Sequence, residues 1–559
     1  MHPLISLIRR FSRDQRGNIA LTFGASLVVL LMAVGSGIDY SMATRMKAKL
    51  QSAADSAAVA AISVNSPGYL QASLTGTDGS VPNGVSDADK VFKGVVDNLQ
   101  NSIQGGFTGL NESSTVTKTG PTLTSVVTFS AKVPTTFMGL FGYATMTVNG
   151  SSSATSSLPP FLDFYLLLDV SGSMGLPSTP SEAQRMQYIS PDNYVQYPTG
   201  CTLACHFKAQ NSACTDSSTQ GYPTNGYCLG YLISRVSQSG YQNLLALQSP
   251  QAKYPYKNKD SSNSTLYNKY WQLPPNIVTG AGSNAQGVTY KSLGNNGLPG
   301  SLFLPPSAGG GGLTAVSNCA TAGGDSCIQL RLDAVGYALT QLFQEANNDE
   351  KVTDQFRIGL YPFITNVLSY FPLTTSITPS SPITTAATNL ATLLDDNTNS
   401  TLGSGGTHID TALTKMNTLI TSVGTGTSTS NRQPYVFLVT DGAIDPQSKA
   451  IGGGWSGSNH ATTLDVQNSL PTVSQCETLK NRNIVISILN IPYQTISPVN
   501  ASFANDEDDF ANNNIQYIRK SLQKCASPGF YYEANTPQDI NNAMIAMFKH
   551  SLQSAHITN

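Results

Sequence analysis

Charged side chains are scarce in this chain. Asp, Glu, Lys and Arg make up 11% of its 559 residues, which is less than half of the usual share of about 25%. The 31 Lys and Arg nearly balance the 33 Asp and Glu, and the formal net charge at pH 7 is −2. This balance argues against a basic nucleic-acid-binding protein. The hydrophobic share of 40% argues against a chain that is disordered throughout.

Histidine is also rare, with 6 in the chain, and no cysteine precedes residue 201. The eight cysteines are Cys201, Cys205, Cys214, Cys228, Cys319, Cys327, Cys476 and Cys525. An even number of cysteines in one part of the chain predicts disulfide bonds in an exported region. The alternative is zinc bound by Cys201, Cys205 and His206. It is disfavoured because no second pair of Cys or His residues at ligand spacing completes a set of four.

The spacing of the cysteines does not determine their connectivity. Local pairing of Cys319 with Cys327, and of Cys476 with Cys525, is one arrangement that the sequence allows.

One long stretch near the N-terminus has no charge at all. Residues 17–38 form 22 uncharged positions, which span roughly 33 Å as a helix and can cross a bilayer. Because residues 1–16 are basic, the positive-inside rule predicts a cytoplasmic N-terminus and an exported remainder. A cleaved signal peptide is the alternative, but its apolar region is usually shorter and ends in an A-x-A site. We therefore expect a retained transmembrane anchor.

The helix is predicted to continue beyond the anchor, over residues 39–63. Its small and apolar residues recur at steps of three and four, which places them on one helix face. They are Ala43, Met46, Leu50, Ala53, Ala57 and Ala61. Two interpretations stay open, since this face can pack against a helix of another protein or against its own chain.

Residues 64–157 predict a small β-rich stalk. Thr and Val alternate at 114–118, 123–133 and 145–155, which is typical of half-exposed strands. A helix is expected around residues 88–99.

From residue 158 to about 555, strands and helices alternate. The nearly continuous apolar run FLDFYLLLD is typical of a strand buried on both faces. Further strands are predicted at FRIGLYPF, YVFLVT, IVISIL and GFYYEA. Helical stripes begin near Leu332 and Ile409, a capping box stands at Ser474, and Pro537 starts a final helix. The pattern predicts the α/β class, with a mostly parallel sheet and helices on both faces. Residues 175–328 interrupt it as a long insertion, either functional or a disulfide-stapled decoration.

Oxygen-bearing side chains follow the predicted strands. Asp169, Ser171 and Ser173 come directly after the first buried strand, Thr407 stands just before a helix, and Asp441 ends another buried strand. Ligands collect at the carboxyl ends of the strands in such sheets. Carboxylate and hydroxyl oxygens suit Mg²⁺. We expect these five side chains to meet at one edge of the sheet.

This set resembles the metal-ion-dependent adhesion site of the von Willebrand factor A (vWA) domain. The matching elements are D-x-S-x-S at 169–173, the loop threonine Thr407 and the T-D-G at 440–442. The resemblance implies a vWA-type doubly wound sheet. It implies that the two serines and Thr407 coordinate Mg²⁺, with Mn²⁺ or Ca²⁺ as alternatives, and that the aspartates bind directly or through water. It also implies that a partner's acidic side chain completes the coordination.

Residues 15–64 resemble the anchor of TadE/TadG-like proteins of Flp/Tad pilus assembly. The matching features are Gly17 before the apolar run, Asp39 at its end and the Ala-rich helix that follows. An anchor of this kind with a C-terminal vWA domain is a TadG-like layout. Prepilin-type substrates carry a glutamate five residues after the cleavage glycine, where this chain has Thr22. We therefore expect an uncleaved anchor.

These features favour a non-catalytic component of a bacterial Flp/Tad pilus apparatus, anchored in the inner membrane with its C-terminal region in the periplasm or at the cell surface. Its expected partners are acidic groups at the metal site and pilin-like or other Tad proteins. A general envelope adhesin or scaffold is the alternative. No G-x-S-x-G, H-E-x-x-H or G-K-[ST] motif supports catalysis. His408 is either a pH sensor or an ordinary helix-start residue, and Asp410 and Asp445 either add negative charge near the site or are solvated caps.

Overall fold

The computed structural model describes residues 16–102, 106–182, 319–323, 329–395, 399–450, 455–458, 460, 462–463, 474–493, 495 and 507–557. They belong to two compact units, 1–159 and 160–558, which are described separately below. Most of the predicted insertion lies outside the described residues, and with it the zinc alternative and Cys327.

The N-terminal unit combines three helices with an antiparallel sheet. Its elements are α1 (Arg16–Ala60), α2 (Pro67–Leu74), β1 (Gly79–Ser80), α3 (Pro82–Ser102), β2 (Thr108–Thr119), β3 (Thr122–Pro134) and β4 (Thr145–Ser157). The four strands follow one another in the order β1-β2-β3-β4, and all neighbours are antiparallel. The three strands predicted from the Thr and Val alternation are confirmed as β2, β3 and β4.

Helix α1 is one continuous helix of 45 residues. Its first half carries apolar side chains that no other part of the described chain covers; Phe23 is 65% exposed and Val29 is 64% exposed. Within the described residues this is the one helix long and apolar enough to cross a membrane. It is consistent with the predicted anchor.

The second half of α1 is packed. The small-residue face between Ala43 and Ala61 is buried and contacts β3, β4 and α3 of the same unit. Of the two interpretations of this face, the structure shows packing against its own chain.

The C-terminal unit contains the larger sheet. Its elements are β5 (Leu162–Asp169), α4 (Arg331–Asp349), β6 (Phe356–Phe363), β7 (Phe371–Thr374), α5 (Pro382–Thr388), α6 (Ile409–Leu419), β8 (Gln433–Thr440), β9 (Ser448–Lys449), β10 (Trp455–Ser456), α7 (Gln475–Asn481), β11 (Val485–Asn490), α8 (Glu507–Cys525), β12 (Tyr531–Glu533) and α9 (Pro537–Ile557). The strand order of the six-stranded sheet is β12-β11-β8-β5-β6-β7. Its strands are parallel except β7, which is antiparallel at one edge.

Strand β5 lies at the centre of this sheet and is buried along its whole length. Side chains alternate between the two faces of a strand. Phe164 and Leu166 therefore pack in a cluster with α4 and α9, whereas Tyr165 and Leu167 pack with α6, α7 and α8 on the opposite face. The predicted apolar stripes of α4, α6 and α9 supply residues to these two clusters. Because β5 is held on both faces, the position of its last residue, Asp169, is fixed.

Helix α7 was predicted from its capping box, whereas helix α8, to which a disulfide joins it, was not predicted from the sequence. Ser474 caps α7 by accepting a hydrogen bond from the backbone N–H of Glu477 at 3.3 Å. A disulfide joins Cys476 in α7 to Cys525 at the end of α8, which is the local pairing that the sequence allowed. Cys319 is also disulfide-bonded.

Candidate metal-binding site

The Oδ1 atom of Asp169 accepts hydrogen bonds from the turn that follows β5. The backbone N–H and the hydroxyl of Ser171 both donate to Oδ1 of Asp169, at 3.0 and 2.6 Å. The hydroxyl oxygens of Ser171 and Ser173 lie 3.4 Å apart. The D-x-S-x-S segment thus gathers one carboxylate and two hydroxyls at the carboxyl end of β5.

The neighbouring strand β8 brings a second carboxylate to the same edge. The hydroxyl of Thr440, the last residue of β8, donates to Oδ2 of Asp169 at 2.6 Å and accepts the N–H of Gly442 at 3.0 Å. Asp441 lies between these residues and is fully buried. Thr440 was not among the predicted site residues, although its position in the T-D-G segment, directly before Asp441, could have indicated it.

Asp441 is an unsatisfied buried carboxylate. Within the described residues, neither of its oxygens has a hydrogen-bond partner. The Nη1 atom of Arg331 lies 3.9 Å from Oδ2, beyond hydrogen-bonding distance. The hydroxyl of Ser173 and the backbone N–H of Ala443 still favour the charged form of Asp441 without full hydrogen-bond geometry. Buried polar atoms are nearly always paired, so this pair of oxygens lacks an expected partner.

Burial and neighbouring charges shift the pKa values of the two carboxyl groups at this edge of the sheet. Burial and the nearby Asp169 carboxylate raise the pKa of Asp441 to about 7, and the Arg331 guanidinium opposes that shift. Burial also raises the pKa of Asp169, against the hydrogen bonds from Ser171 and Thr440. Two buried carboxylates with one nearby guanidinium leave negative charge that a cation would neutralise.

Arg331 approaches from the first turn of α4. It is 5% exposed, and its Nη2 donates to the carbonyl of Pro492 at 3.0 Å. Burial lowers the pKa of Arg331, whereas Asp441 raises it. No signal in the sequence pointed to this residue, because its proximity to Asp441 depends on how α4 packs on the sheet.

Thr407 reaches the same edge through its backbone. Its N–H donates to the carbonyl of Asp445 at 3.0 Å, and the N–H of Asp445 returns a bond of 3.2 Å. The next residue, His408, donates its N–H to the carbonyl of Ile364 after the end of β6, at 2.9 Å. The structure thus links Asp169, Ser171 and Ser173 through side-chain contacts and places the Asp441 carboxylate near Asp169 and Ser173. It holds Thr407 beside the loop that follows Asp441.

Asp395 supports the loop that carries Thr407, and sequence analysis missed it. Its backbone N–H donates to the carbonyl of Val170, directly after β5, at 3.1 Å. Its carboxylate accepts the Ser404 hydroxyl at 2.6 Å and the Gly405 N–H at 2.7 Å. Asp395 therefore ties the Gly-rich loop to the end of the central strand.

Two further polar residues lie next to Thr407. Nε2 of His408 is 2.9 Å from the carbonyl oxygen of Gln447. Burial raises the pKa of Asp445 to about 6, against the hydrogen bond from the Gln447 N–H and the nearby His408. Asp410 is exposed in the first turn of α6.

The donor set at this edge consists of carboxylate and hydroxyl oxygens, which suit a hard divalent cation. Among the described residues, no cluster of three or more His, Cys, Asp or Glu side chains is found, so a metal at this edge would depend on hydroxyl oxygens. Two carboxylates and two neighbouring hydroxyls are oxygen ligands of the kind that Mg²⁺ and Mn²⁺ prefer. The Asp441 oxygens, which have no hydrogen-bond partner among the described residues, fit such an ion.

Residues 17–65 match a family described as "Putative Flp pilus-assembly TadE/G-like". The matched segment covers most of α1 and the turn after it. A search of curated proteins found no match to the chain.

Similar solved structures include several pilus proteins. The pilus adhesin SpaC from Lactobacillus rhamnosus GG is 10% identical, with 81% of this chain and 36% of SpaC covered at a TM-score of 0.28. The PilB minor pilin from Streptococcus sanguinis is 9% identical, with 81% and 80% covered at a TM-score of 0.29. The vWF domain of the type V pili tip protein Mfa5 from Porphyromonas gingivalis is 11% identical, with 41% and 89% covered at a TM-score of 0.23. The chain thus spans about a third of the length of SpaC, and likeness at this level does not define its function.

Proposed function

We propose that this protein is a membrane-anchored, non-catalytic component of a bacterial Flp pilus apparatus, and that its C-terminal unit is a vWA-type domain that binds protein partners through a divalent metal ion. The family match of residues 17–65 supports the link to pilus assembly. The observation that carries the binding mechanism is the buried Asp441, which has no hydrogen-bond partner for either oxygen among the described residues.

In this proposal the chain supplies oxygen ligands from separate segments. Ser171, Ser173 and Thr407 provide hydroxyls, while Asp169 and Asp441 bind directly or through water. Asp169 also orients the hydroxyl of Ser171, since it accepts that hydroxyl at 2.6 Å. When bound, Mg²⁺ would supply an electrophilic centre that attracts a carboxylate of the partner.

The anchor places this domain on the exported side. The arginines before residue 17 keep the N-terminus in the cytoplasm, and the C-terminal unit is then exposed to the periplasm. The disulfide between Cys476 and Cys525 agrees with that compartment, because disulfides persist in oxidising surroundings.

Metal binding is tested on the full chain purified in detergent. Titration with Mn²⁺ and Mg²⁺ in a calorimeter should show one saturable site, and EDTA should remove the ion. Asp441→Asn should abolish the binding because it removes the charge of the unpartnered carboxylate. Asp410→Asn is the matched control, since this exposed aspartate lies in the first turn of α6 and is not a proposed ligand. Unchanged binding by the Asp441→Asn protein would refute the metal-bridged mechanism.

The pilus role has a separate test. A strain that lacks the gene is complemented with the wild-type chain or with Asp441→Asn, and pili are counted by electron microscopy. Loss of pili in the deletion strain supports the assembly role. Intact pili with lost adhesion would instead favour the alternative, a general envelope adhesin or scaffold.

A further inference from the structure

The connection between β3 and β4 exposes an apolar surface that the N-terminal unit leaves uncovered. The loop of residues 135–144, TTFMGLFGYA, has no charged residue. Leu140 is 79% exposed, Phe141 is 43% exposed and Tyr143 is 66% exposed. Among the described residues of the C-terminal unit, by contrast, the large hydrophobic side chains that are exposed are only Tyr337 and Tyr517. Clustered exposure of this kind marks an interaction surface.

Three backbone N–H groups hold this loop against α1. The carboxylate of Asp39 accepts the N–H of Thr136 at 2.9 Å, of Phe137 at 2.9 Å and of Met138 at 2.7 Å. Asp39 is 3% exposed as a result. The loop is therefore fixed at one level along the helix.

A glycine of α1 allows the close approach. A Cβ atom on Gly35 would overlap the side chain of Phe137. Phe137 thus lies directly on the helix one turn before Asp39. The contacts at Gly35 and Asp39 place the base of the loop at the end of the charge-free segment 17–38.

That level corresponds to a membrane boundary. The 22 residues of the charge-free segment span roughly 33 Å, against a hydrocarbon thickness of about 30 Å. Its last turn would lie where aromatic side chains concentrate in membrane proteins. Tyr40 is exposed at the same level on α1. The base of the apolar loop thus lies at the end of the apolar part of the helix.

We propose that the loop of residues 135–144 inserts Leu140, Phe141 and Tyr143 into the interfacial layer of the lipid bilayer, beside the end of the anchor helix. This inference rests on the proposed membrane anchor. The loop would give the N-terminal unit a second membrane contact and thereby restrain its rotation about the helix. It would also shield the Asp39 carboxylate from lipid, because the three N–H donors cover it.

The experiment uses the full chain reconstituted in vesicles of phosphatidylglycerol and phosphatidylcholine, with and without brominated phosphatidylcholine. Phe141→Trp introduces an indole at the proposed contact. Thr119→Trp is the matched control. Exposed Thr119 ends β2 and pairs with Thr122 at the start of β3, and β3 is roughly 40 Å long, so this position is far from the loop. Each variant is compared with the wild-type chain, which contributes the emission of its 2 native tryptophans.

Brominated lipid should quench the emission added by Phe141→Trp, as expected for an indole at the membrane interface, and leave that added by Thr119→Trp unchanged. Tyr143→Trp should behave like Phe141→Trp and serves if the first variant misfolds. Equal quenching of the Phe141→Trp and Thr119→Trp proteins overturns the inference. Emission that changes with the protein-to-lipid ratio and not with bromination would also overturn it, because a second copy of the chain would then cover the loop. Flotation of the vesicles tests the membrane anchor separately from the loop contact. Chains that do not float with lipid would refute the anchor itself.

Discussion

At the scale of single residues, Asp441 decides the chemistry of the candidate site. Its environment favours the protonated form, because burial and Asp169 raise its pKa to about 7. A bound divalent cation would favour the charged form instead. Protons and metal are therefore expected to compete for the same carboxylate.

This competition predicts a pH-dependent effect of Mg²⁺ on stability. A carboxyl group with a raised pKa in the folded state stabilises the fold at low pH, and that contribution is lost as the pH rises from about 4 through 7. Mg²⁺ should restore it, so the rise in Tm on adding Mg²⁺ should be larger at about pH 8 than at about pH 5. Thermal scans of the full chain measure this difference. A rise that is equal at both pH values, or that persists in Asp441→Asn, would contradict it.

Arg331 is the second residue whose position is expected to affect metal binding. Its guanidinium lies 3.9 Å from Oδ2 of Asp441 and competes with any cation at that carboxylate. Arg331→Gln should therefore tighten Mn²⁺ binding about ten-fold, which corresponds to about 1.4 kcal/mol. Calorimetric titration measures the change. Arg357→Gln is the control, because Arg357 pairs with Asp163 at the other end of the strands. Weaker binding by Arg331→Gln would show that the arginine supports the site instead of opposing the metal.

At the scale of elements, the buried strands were predictable, whereas the helices α2, α5 and α8 were not. β5, β6, β8 and β11 are largely apolar, and such runs are typical of strands covered on both faces. Helix α8, in contrast, has the Asn-rich sequence EDDFANNNIQYIRKSLQKC, and Asn has low helix propensity. It packs through Ile518 and Leu522 onto the sheet and is joined by Cys525 to α7. These are tertiary contacts that the local sequence does not reveal.

The candidate site was predictable to a similar extent. Asp169, Ser171, Ser173 and Asp441 follow strands that the apolar runs identified, and parallel strands end at a common edge. Arg331 and Asp395 were missed because their roles depend on how α4 and a Gly-rich loop pack against that edge. The sequence thus indicates which side chains end the strands, but not which neighbours compensate their charge.

The small-residue face of α1 allows a prediction about packing. Ala57 is buried on this face, whereas Val59 is exposed on the opposite side. Ala57→Leu should therefore destabilise the N-terminal unit by about 1–3 kcal/mol through overpacking, while Val59→Leu should have little effect. Hydrogen exchange of α3, which packs on α1, measures the loss of protection. Unchanged protection would mean that this face is free to receive a helix from another protein.

At the scale of the whole molecule, membrane topology and disulfide chemistry are linked. The disulfide between Cys476 and Cys525 has a sequence separation of 49 residues, and closing a loop of that size is worth about 2–4 kcal/mol. It can form only if the C-terminal unit reaches an oxidising compartment. The orientation of α1 is therefore a condition for the stability of a unit far from it in sequence.

This link predicts the labelling of these cysteines in cells. Cys476 and Cys525 should resist a membrane-permeant maleimide until a reductant is added, because both are oxidised after export. Replacing arginines 9, 10, 13 and 16 by glutamine weakens the signal that orients the helix, and both cysteines should then react without reductant. Mass spectrometry of the labelled peptides gives the result. Immediate labelling of the wild-type chain would contradict the exported orientation.

The contact between Asp39 and the β3–β4 loop has a consequence for biogenesis. The three N–H donors lie 97 to 99 residues after the carboxylate that they cover. At a synthesis rate of 5–20 residues per second, they are made about 5–20 s later than Asp39. As the proposed membrane anchor, the nascent helix must therefore leave the insertion machinery with its acidic residue still hydrated or held by another protein. Only folding of the distant hairpin completes the anchor, so insertion and folding are successive steps in the maturation of the N-terminal unit.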